Sequence, residues 1–500
     1  MAKAKRPYKL PTLITCSADE IANGISYELV KKCIDKHREM LLRYEYLENL
    51  YKGFHDIFKA PEKPEWKPDN RLAVNFPRYM TDTFIGFGYG IPIKVSHEDE
   101  GINEAIQNFC KDNEITDHES EMAKKCCIYG HAWEYIYQNE EAKTKVTAFS
   151  PKELFVIYDD TVKNKGLFAV RYGRHGEDHK NKGELYGEIL SRSEIEYFDA
   201  REKIGSEPNP YGYIPVVEWG LNDERMGLYE SVTNLIETYN STLGEKANDV
   251  EAFAEAYLAI IGAEIDEKGL YKIRDNRLIN LYGTDDAKEV LIQFLQKPTA
   301  DGTQENLLDR LETLIYQTSM VANISDDSFG NSTSGVALAY KLQAMSNLAL
   351  SFDRKIEKSL RKRYKIFCSL STNVPDRNAY IDVGIKMTRN LPKNYKEEAE
   401  TAQALSGIVS QETQLKGLSI ISDPTAEIEK IKAEEAEQLA GAADDMFKKN
   451  RGSTYEVTSL LRKYKRGELT RNNAIRMFAV LGMTEEEAIQ LMDDRDEEVI

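Results

Sequence analysis

The chain has 500 residues, of which 41% are hydrophobic and 30% charged, and 84 Asp and Glu against 66 Lys and Arg give it a formal net charge of −18. Those values fit a globular protein of roughly three domains and exclude a disordered or fibrous chain. The acid excess argues against a surface that grips nucleic acid throughout, because phosphate binding needs clustered bases, and the lack of any run of 18 uncharged apolar residues predicts no membrane-spanning helix.

In chain order, the basic stretch from Met1 to Leu10 is followed by no clean apolar run, so a signal peptide is not expected. Ser17 and Glu20 make an S-x-x-E capping box, which predicts a helix from Ser17 to Tyr51 with Leu29, Cys33, Met40, Tyr44, Leu47 and Tyr51 on one face. A Pro-rich joint spans 61–68. The run 76–87 reads as an apolar helix, and Gly86, Gly88, Gly90 and Pro92 as a turn into a short strand. A helix is expected over 115–129. Short segments rich in β-branched and aromatic residues then predict an antiparallel sheet, at 131–137, 145–149, 154–158, 167–172, 184–190, 194–197 and 214–219.

Helical spacing returns over 227–253. Strand-like runs follow at 257–261, 278–281 and 290–294, and then a helix over 303–321. A polar loop occupies 322–333. Ser334 reads as the N-cap of a helix reaching Phe367, about 34 residues and roughly 51 Å long. A strand is expected at 382–387, helices at 394–409, 410–415 and 424–440, and two or three short helices over 453–493, where Ser453 with Glu456 and Thr484 with Glu487 form capping boxes. The end, 485–500, has eight acids and one Arg and is expected to fray.

The common signatures of chemistry are missing. No Gly-Lys-Ser or Gly-Lys-Thr occurs, so a P-loop motor is not expected. Gly86, Gly88 and Gly90 lack the spacing of a dinucleotide loop. Asp159 and Asp160 could hold Mg²⁺ as paired carboxylates, although a strand ending in an acidic turn accounts for them. Cys126, Cys127 and His131 could seed a zinc site but have no obvious fourth ligand nearby. No H-E-x-x-H or G-x-S-x-G occurs, and the six Cys, without a C-x-x-C pair, read as reduced thiols. Neither cofactor nor metal is expected, and the balance leans against an enzyme.

Charge is sorted along the chain. Residues 226–253 carry five acids and one Lys, 301–321 four acids and one Arg, and 338–367 eight bases and two acids. Two acidic helices bracketing an insert of about 45 residues read as a stalk. Repeated around a ring, such stalks would make a wall that repels a polyanion and lets it slide.

The residues resemble the portal, or head-to-tail connector, proteins of tailed bacteriophages, of the siphovirus type. Asn70, Asn75, Tyr79, Asp82, Gly86, Gly90 and Pro92 follow that family's N…N-x-x-x-Y-x-x-D-x-x-x-G-x-x-x-G-x-P segment, and Ala123, Tyr129, Gly130 and Ala132 its A-x-x-x-x-I-Y-G-x-A segment. Asn209 to Glu218 is similar to its entry into the stalk, Ala247 to Asp249 to the stalk itself, and Ser332 to Leu338 to the segment after its tunnel loop. The likeness runs from about residue 20 to 440.

It implies an α+β, predominantly helical, elongated subunit that joins a ring of about twelve copies. Its sectors would be a wing at 1–225, stem helices at 226–253 and 301–321 around a clip at 254–300, and a tunnel loop at 322–333. A long helix and wing strand at 334–393, a crown at 394–449 and a C-terminal helical module at 450–500, partly disordered, would complete it. The resemblance further implies a channel at one capsid vertex for packaging and ejecting double-stranded DNA. Expected partners are terminase, head-completion or adaptor proteins, and the scaffolding and major capsid proteins, with no membrane and with assembly in the bacterial cytoplasm. DNA-proximal residues are expected at Asn323, Ser325, Asp326, Asp327, Phe329, Asn331 and Ser332. Channel-wall acids are expected at Glu230, Glu237, Glu245 and Glu305, and clip contacts at Lys268, Lys272, Arg274 and Arg277. The alternatives are a metal-dependent nucleic-acid enzyme using Asp159 and Asp160, or a capsid adaptor without a channel.

Overall fold

The computed structural model describes residues 8, 11–17, 19–64, 67–175, 184–200, 202–254, 257–261, 278–281, 291–295, 301–324, 339–390, 395–418, 420–421, 424–434, 436 and 454–493. They fall into two compact units, 1–391 and 392–500.

The first unit begins with β1 (Ile14–Cys16) and α1 (Tyr27–Tyr51). The Ser17–Glu20 box forms reciprocally, Ser17 N donating to Glu20 Oε2 at 2.9 Å and Glu20 N to Ser17 Oγ at 3.3 Å. It caps only a single 3₁₀ turn, Asp19–Ile21. Gly24, with φ +96°, then leaves helical geometry, and Ser26 caps α1 through Leu29 N, so the helix starts ten residues later than its sequence signal. Helix α2 (Phe76–Tyr89) runs straight through Gly86 and Gly88, which were expected in the turn. Strand β2 (Lys94–Ser96) follows, and then α3 (Glu100–Asp112), capped by Asp99 and not anticipated. Helix α4 (Ile115–Tyr129) has the expected bounds.

The sheet region holds β3 (His131–Gln138), β4 (Thr144–Phe149), β5 (Leu154–Asp159), β6 (Gly166–Arg174), β7 (Leu185–Leu190), β8 (Glu194–Asp199), β9 (Glu202–Pro208) and β10 (Val216–Gly220). It forms two sheets instead of one, ordered β1-β5-β6-β7-β8-β9 and β10-β3-β4. Pairing is antiparallel as expected, except that β1 joins β5 in parallel. Strand β5 shows why both of its faces are apolar. Phe155 and Ile157 share a core with Val30 and Ile34 of α1, while Leu154 and Val156 share another with Trp133 and Val216 of the smaller sheet. The larger sheet is thus covered on both sides at that point.

Helix α5 (Thr233–Ala254) leads to β11 (Tyr257–Ile261), β12 (Leu278–Leu281) and β13 (Leu291–Leu295), a three-stranded sheet ordered β12-β11-β13. Helices α6 (Asp301–Ser319) and α7 (Gln343–Phe367) follow. Helix α7 has 25 residues, shorter than the expected 34; residues 339–341 are helical, and a turn at Leu342 separates them from it. Its stripe, Met345, Ala349, Phe352, Ile356, Leu360 and Tyr364, joins Phe84 of α2, Ala123 of α4 and Trp219 of β10 in the largest core. Strand β14 (Gly384–Lys386) pairs with β2. In the second unit lie α8 (Tyr395–Ala404), α9 (Gln411–Lys416), a helical run 424–434, and α10 (Thr454–Lys465), α11 (Arg471–Val480) and α12 (Glu485–Asp493). The Thr484–Glu487 box forms at the head of α12. Ser453 lies outside the described residues.

Buried histidines make the first unit acid-sensitive. His37 on α1 stacks on Phe155 with centroids 4.3 Å apart. Its Nε2 donates to Pro151 O at 2.7 Å, which leaves Nδ1 to accept from the Tyr172 hydroxyl at 2.9 Å. Burial pushes its pKa down to about 4, against a weaker opposing effect of the Pro151 carbonyl. Burial, with Arg225 and Arg43 nearby, also holds His131 well below the ordinary histidine range. A folded pKa below the unfolded value of about 6.5 gives stability that is complete above that pH and lost as pH falls through about 4. Thermal melts are expected to show Tm dropping across that window; a flat profile would contradict it.

Candidate functional site

Helices α5 and α6 pack side by side, with Lys246 paired to Glu305 and Gln304 Nε2 donating to Asp249 Oδ2 at 3.1 Å. The approach to α5 is fixed by Gly130, which ends α4 at φ +89°; a Cβ there would sit 2.0 Å from Arg225 O. Leu221 N donates to Gly130 O and Leu228 N to Cys127 O across this crossing.

Much of the acidic side of α5 faces its own chain. Glu237 accepts from His55 Nδ1 at 2.9 Å and from Asp56 N at 3.0 Å. Glu245 pairs with Lys63, Asn248 accepts from Asn70 N, Glu251 accepts from Asn70 Nδ2, and Asn240 accepts from Val74 N. Residues 55–64 and 67–74 are thereby strapped along α5. Gly244 permits the close approach, since a Cβ would lie 2.8 Å from Ile57 Cδ1 and 2.9 Å from Asn70 O.

Glu230 is a correction. It precedes α5 in a 3₁₀ turn, Glu230–Val232, and is fully buried. Its carboxylate accepts from Arg43 Nε at 2.8 Å, Arg43 Nη2 at 2.5 Å and Gly227 N at 2.9 Å. A buried, paired carboxylate cannot face a channel, and its sequence position inside an acidic run gave no sign of the Arg43 partner 187 residues away. Glu237 is only 17% exposed, whereas Glu245 and Glu305 are 63% and 55% exposed.

The root of the polar loop is built from aromatics. Phe76 stands edge-on to Tyr239 (5.0 Å) and Tyr316 (5.9 Å), and Tyr79 edge-on to Tyr316 (5.9 Å). The Tyr79 hydroxyl accepts from Ile324 N at 2.9 Å, and Asn323 Nδ2 donates to Glu312 Oε1 at 3.1 Å. Beside them is a cavity of about 580 Å³ lined by Asp309, Glu312, Tyr316, Met320, Lys341 and Met345. Sequence reasoning placed Asn323 in the loop but missed Tyr79 and Tyr316 as its anchors. Tyr79 did stand at a fixed place in the Asn75-x-x-x-Tyr79 pattern, the one signal available. Its neighbours in that pattern also have structural work. Asn75 caps α2 through Arg78 N, and Asp82 accepts from the Tyr51 hydroxyl. Ser325, Asp326, Asp327, Phe329, Asn331 and Ser332 lie outside the described residues, as do Lys268, Lys272, Arg274 and Arg277.

Of the seven bases on α7, Arg363 alone is buried. It bonds Glu134 through Nε and Nη2 at 2.6–3.0 Å and Glu119 through Nη1 at 2.5 Å, with its guanidinium over Trp219. His118 Nε2 is also 2.7 Å from Glu134. Burial alone would raise both carboxyls. At Glu134 the Arg363 charge and the bonds from His118 and Arg363 overcome it and hold the pKa at about 2. Glu119, with a single bond from Arg363, stays raised. Lys355 pairs with Asp223 and Arg361 with Glu357.

The chemistry considered at Asp159 is not assembled. Its carboxylate accepts from Thr161 N, Thr161 Oγ1 and Lys165 N, closing the β5–β6 turn. Cys126 and Cys127 are fully buried thiols pushed up by burial. Among the described residues no group of His, Cys, Asp and Glu is placed to hold a metal ion, and no helix is long and apolar enough to cross a membrane.

The family described as "Phage portal protein, SPP1 Gp6-like" matches residues 30–440. The portal protein of Bacillus phage SPP1 is 23% identical over 461 residues, covering 85% of this chain and 90% of that one. A solved structure, the neck of an empty GTA particle computed with C6 symmetry, covers 69% of this chain and 90% of its own at 9% identity and a TM-score of 0.39.

Proposed function

This chain belongs to the SPP1 Gp6-like family of phage portal proteins, and on that premise we propose that α5 and α6 line, and the loop 322–333 narrows, the channel through which duplex DNA enters and leaves the head. The observation that carries this reading is the single family match running unbroken through both stalk helices, the loop and α7. Portal proteins are structural components of the virion and work as oligomeric rings; the mechanism is conduction and gating, without bond chemistry.

In this reading Glu245 and Glu305, the exposed carboxylates of the pair, carry the repulsion that keeps DNA mobile, since tight binding comes from phosphate contacts with bases. Glu237 remains with the strap over α5. The ring has about twelve copies and sits at one capsid vertex. The clip, 254–300, docks terminase during packaging and head-completion proteins afterwards, while the wing and crown meet the scaffolding and major capsid proteins. Assembly takes place in the bacterial cytoplasm.

Negative-stain microscopy of the purified full chain is the deciding experiment. Rings with a central hole are expected, and a compact monomer would sink the reading. The loop root gives a finer test. Tyr79→Phe removes one hydrogen bond, about 1 kcal/mol, so the Ile324 amide should exchange about two- to tenfold faster with rings still forming. Unchanged exchange would show that Tyr79 does not hold the loop.

A further inference from the structure

Residues 454–493 lie beyond the span of the family match, and α10, α11 and α12 close on a small core of their own around Ala474, Phe478, Ala488 and Met492. On the outside of that core the charge is sorted. Between 462 and 476 stand six bases, Arg462, Lys463, Lys465, Arg466, Arg471 and Arg476, against the single acid Glu468. Helix α12, in contrast, holds four acids and no base. All six bases are exposed. Among the described residues only Arg471 has an ion-pair partner, Asp493 at 2.8 Å, and both members are half exposed.

Local helix physics explains only part of this. The dipole of α10 favours one or two cations in its last turn, where Arg462, Lys463 and Lys465 stand. It does not ask for Arg466 beyond the helix, and at Arg471, the first residue of α11, the dipole opposes a cation. Nor does the core need them, since their charged ends are in water. In a chain of net charge −18, such a concentration is the electrostatic footprint of a polyanion partner. Asn472 and Asn473, exposed beside Arg476 on α11, add neutral donors of the kind that contact phosphate and sugar.

We propose that the α10–α11 hairpin binds the phosphate backbone of nucleic acid. An acidic protein segment is the competing partner. The interleaved Asn donors, and Glu468 as the single acid among the six bases of 462–476, favour phosphate.

The test uses the full chain and a fluorescein-labelled 30-base-pair DNA duplex, followed by anisotropy from low to moderate salt. One variant carries Arg462→Gln, Lys463→Gln, Lys465→Gln and Arg466→Gln. A control carries Lys31→Gln, Lys36→Gln, Lys111→Gln and Lys163→Gln, exposed lysines elsewhere. Both should keep the wild-type thermal melt. The hairpin variant is expected to bind at least about tenfold more weakly and to lose up to about 3.6 from the log K against log salt slope, about 0.9 for each phosphate contact removed, while the control changes neither. An RNA duplex of equal length, run in parallel, tells which nucleic acid is held, and binding of either supports the site. Unchanged affinity and slope in the hairpin variant would overturn it. So would tighter wild-type binding of a Glu-rich peptide of equal charge, lost in the same variant.

Discussion

Arg363→Leu is expected to destabilise the first unit by about 3–5 kcal/mol, because it leaves two carboxylates buried without their cation. Differential scanning calorimetry should register this as a fall in Tm of roughly 4–6 °C. The cause can be separated from a simple cavity. Replacing Glu119, Glu134 and Arg363 together by apolar residues of similar volume removes the stranded charges and should restore most of the loss, as buried ion clusters contribute little net stability over a well-packed apolar core. The pH dependence adds a second check. In the wild type, Glu134 has a folded pKa of about 2, below its unfolded value of about 4.3. Its contribution is therefore present above the unfolded value and lost as pH falls through the folded one. Without Arg363 both carboxyls are raised by burial, protonated acids suit the site better, and the deficit should narrow as the pH is lowered. A deficit that stays constant as the pH falls would show that Arg363 acts through packing alone.

Glu230→Gln should cost about 3–5 kcal/mol by leaving Arg43 an unpaired buried cation. Glu245→Gln, which loosens an exposed pair with Lys63, should cost at most about 1 kcal/mol. The two acids stand fifteen positions apart in one acidic run, so urea melts of the single variants test whether burial, not sequence neighbourhood, sets their roles. The functional effects should be reversed. Glu245→Gln together with Glu305→Gln should fold normally and alter how packaging in a complementation assay responds to salt, because it neutralises exposed wall charge. Normal packaging at every salt concentration would remove those two residues from the wall.

Local signals served well where the deciding contacts are local. Helix α4, strands β11 and β12 and the Thr484 cap were legible because periodicity, β-branched runs and a box three residues long report on neighbouring residues. The same logic misplaced the start of α1. The Ser17–Glu20 box formed, but a left-handed Gly24 broke the chain before the helix could propagate. At the candidate site the order of α5, the three short strands, α6 and α7 was readable. The anchors of the loop were not, because Tyr79 reaches Ile324 across 245 residues.

The net charge shows the division most clearly. By itself the sequence determined that charge is sorted along the chain, acidic over the paired helices and basic over α7, and its ordered motifs determined the portal family. Only the tertiary structure decided which of those charges face water. Glu230 and Arg363 are buried against partners nearly two hundred or more residues away, Glu237 holds the strap over α5, and Glu245, Glu305 and the bases of 462–476 remain exposed. The physical reason is that a charge enters the interior only beside an opposite charge at bonding distance, and that proximity is made by the fold.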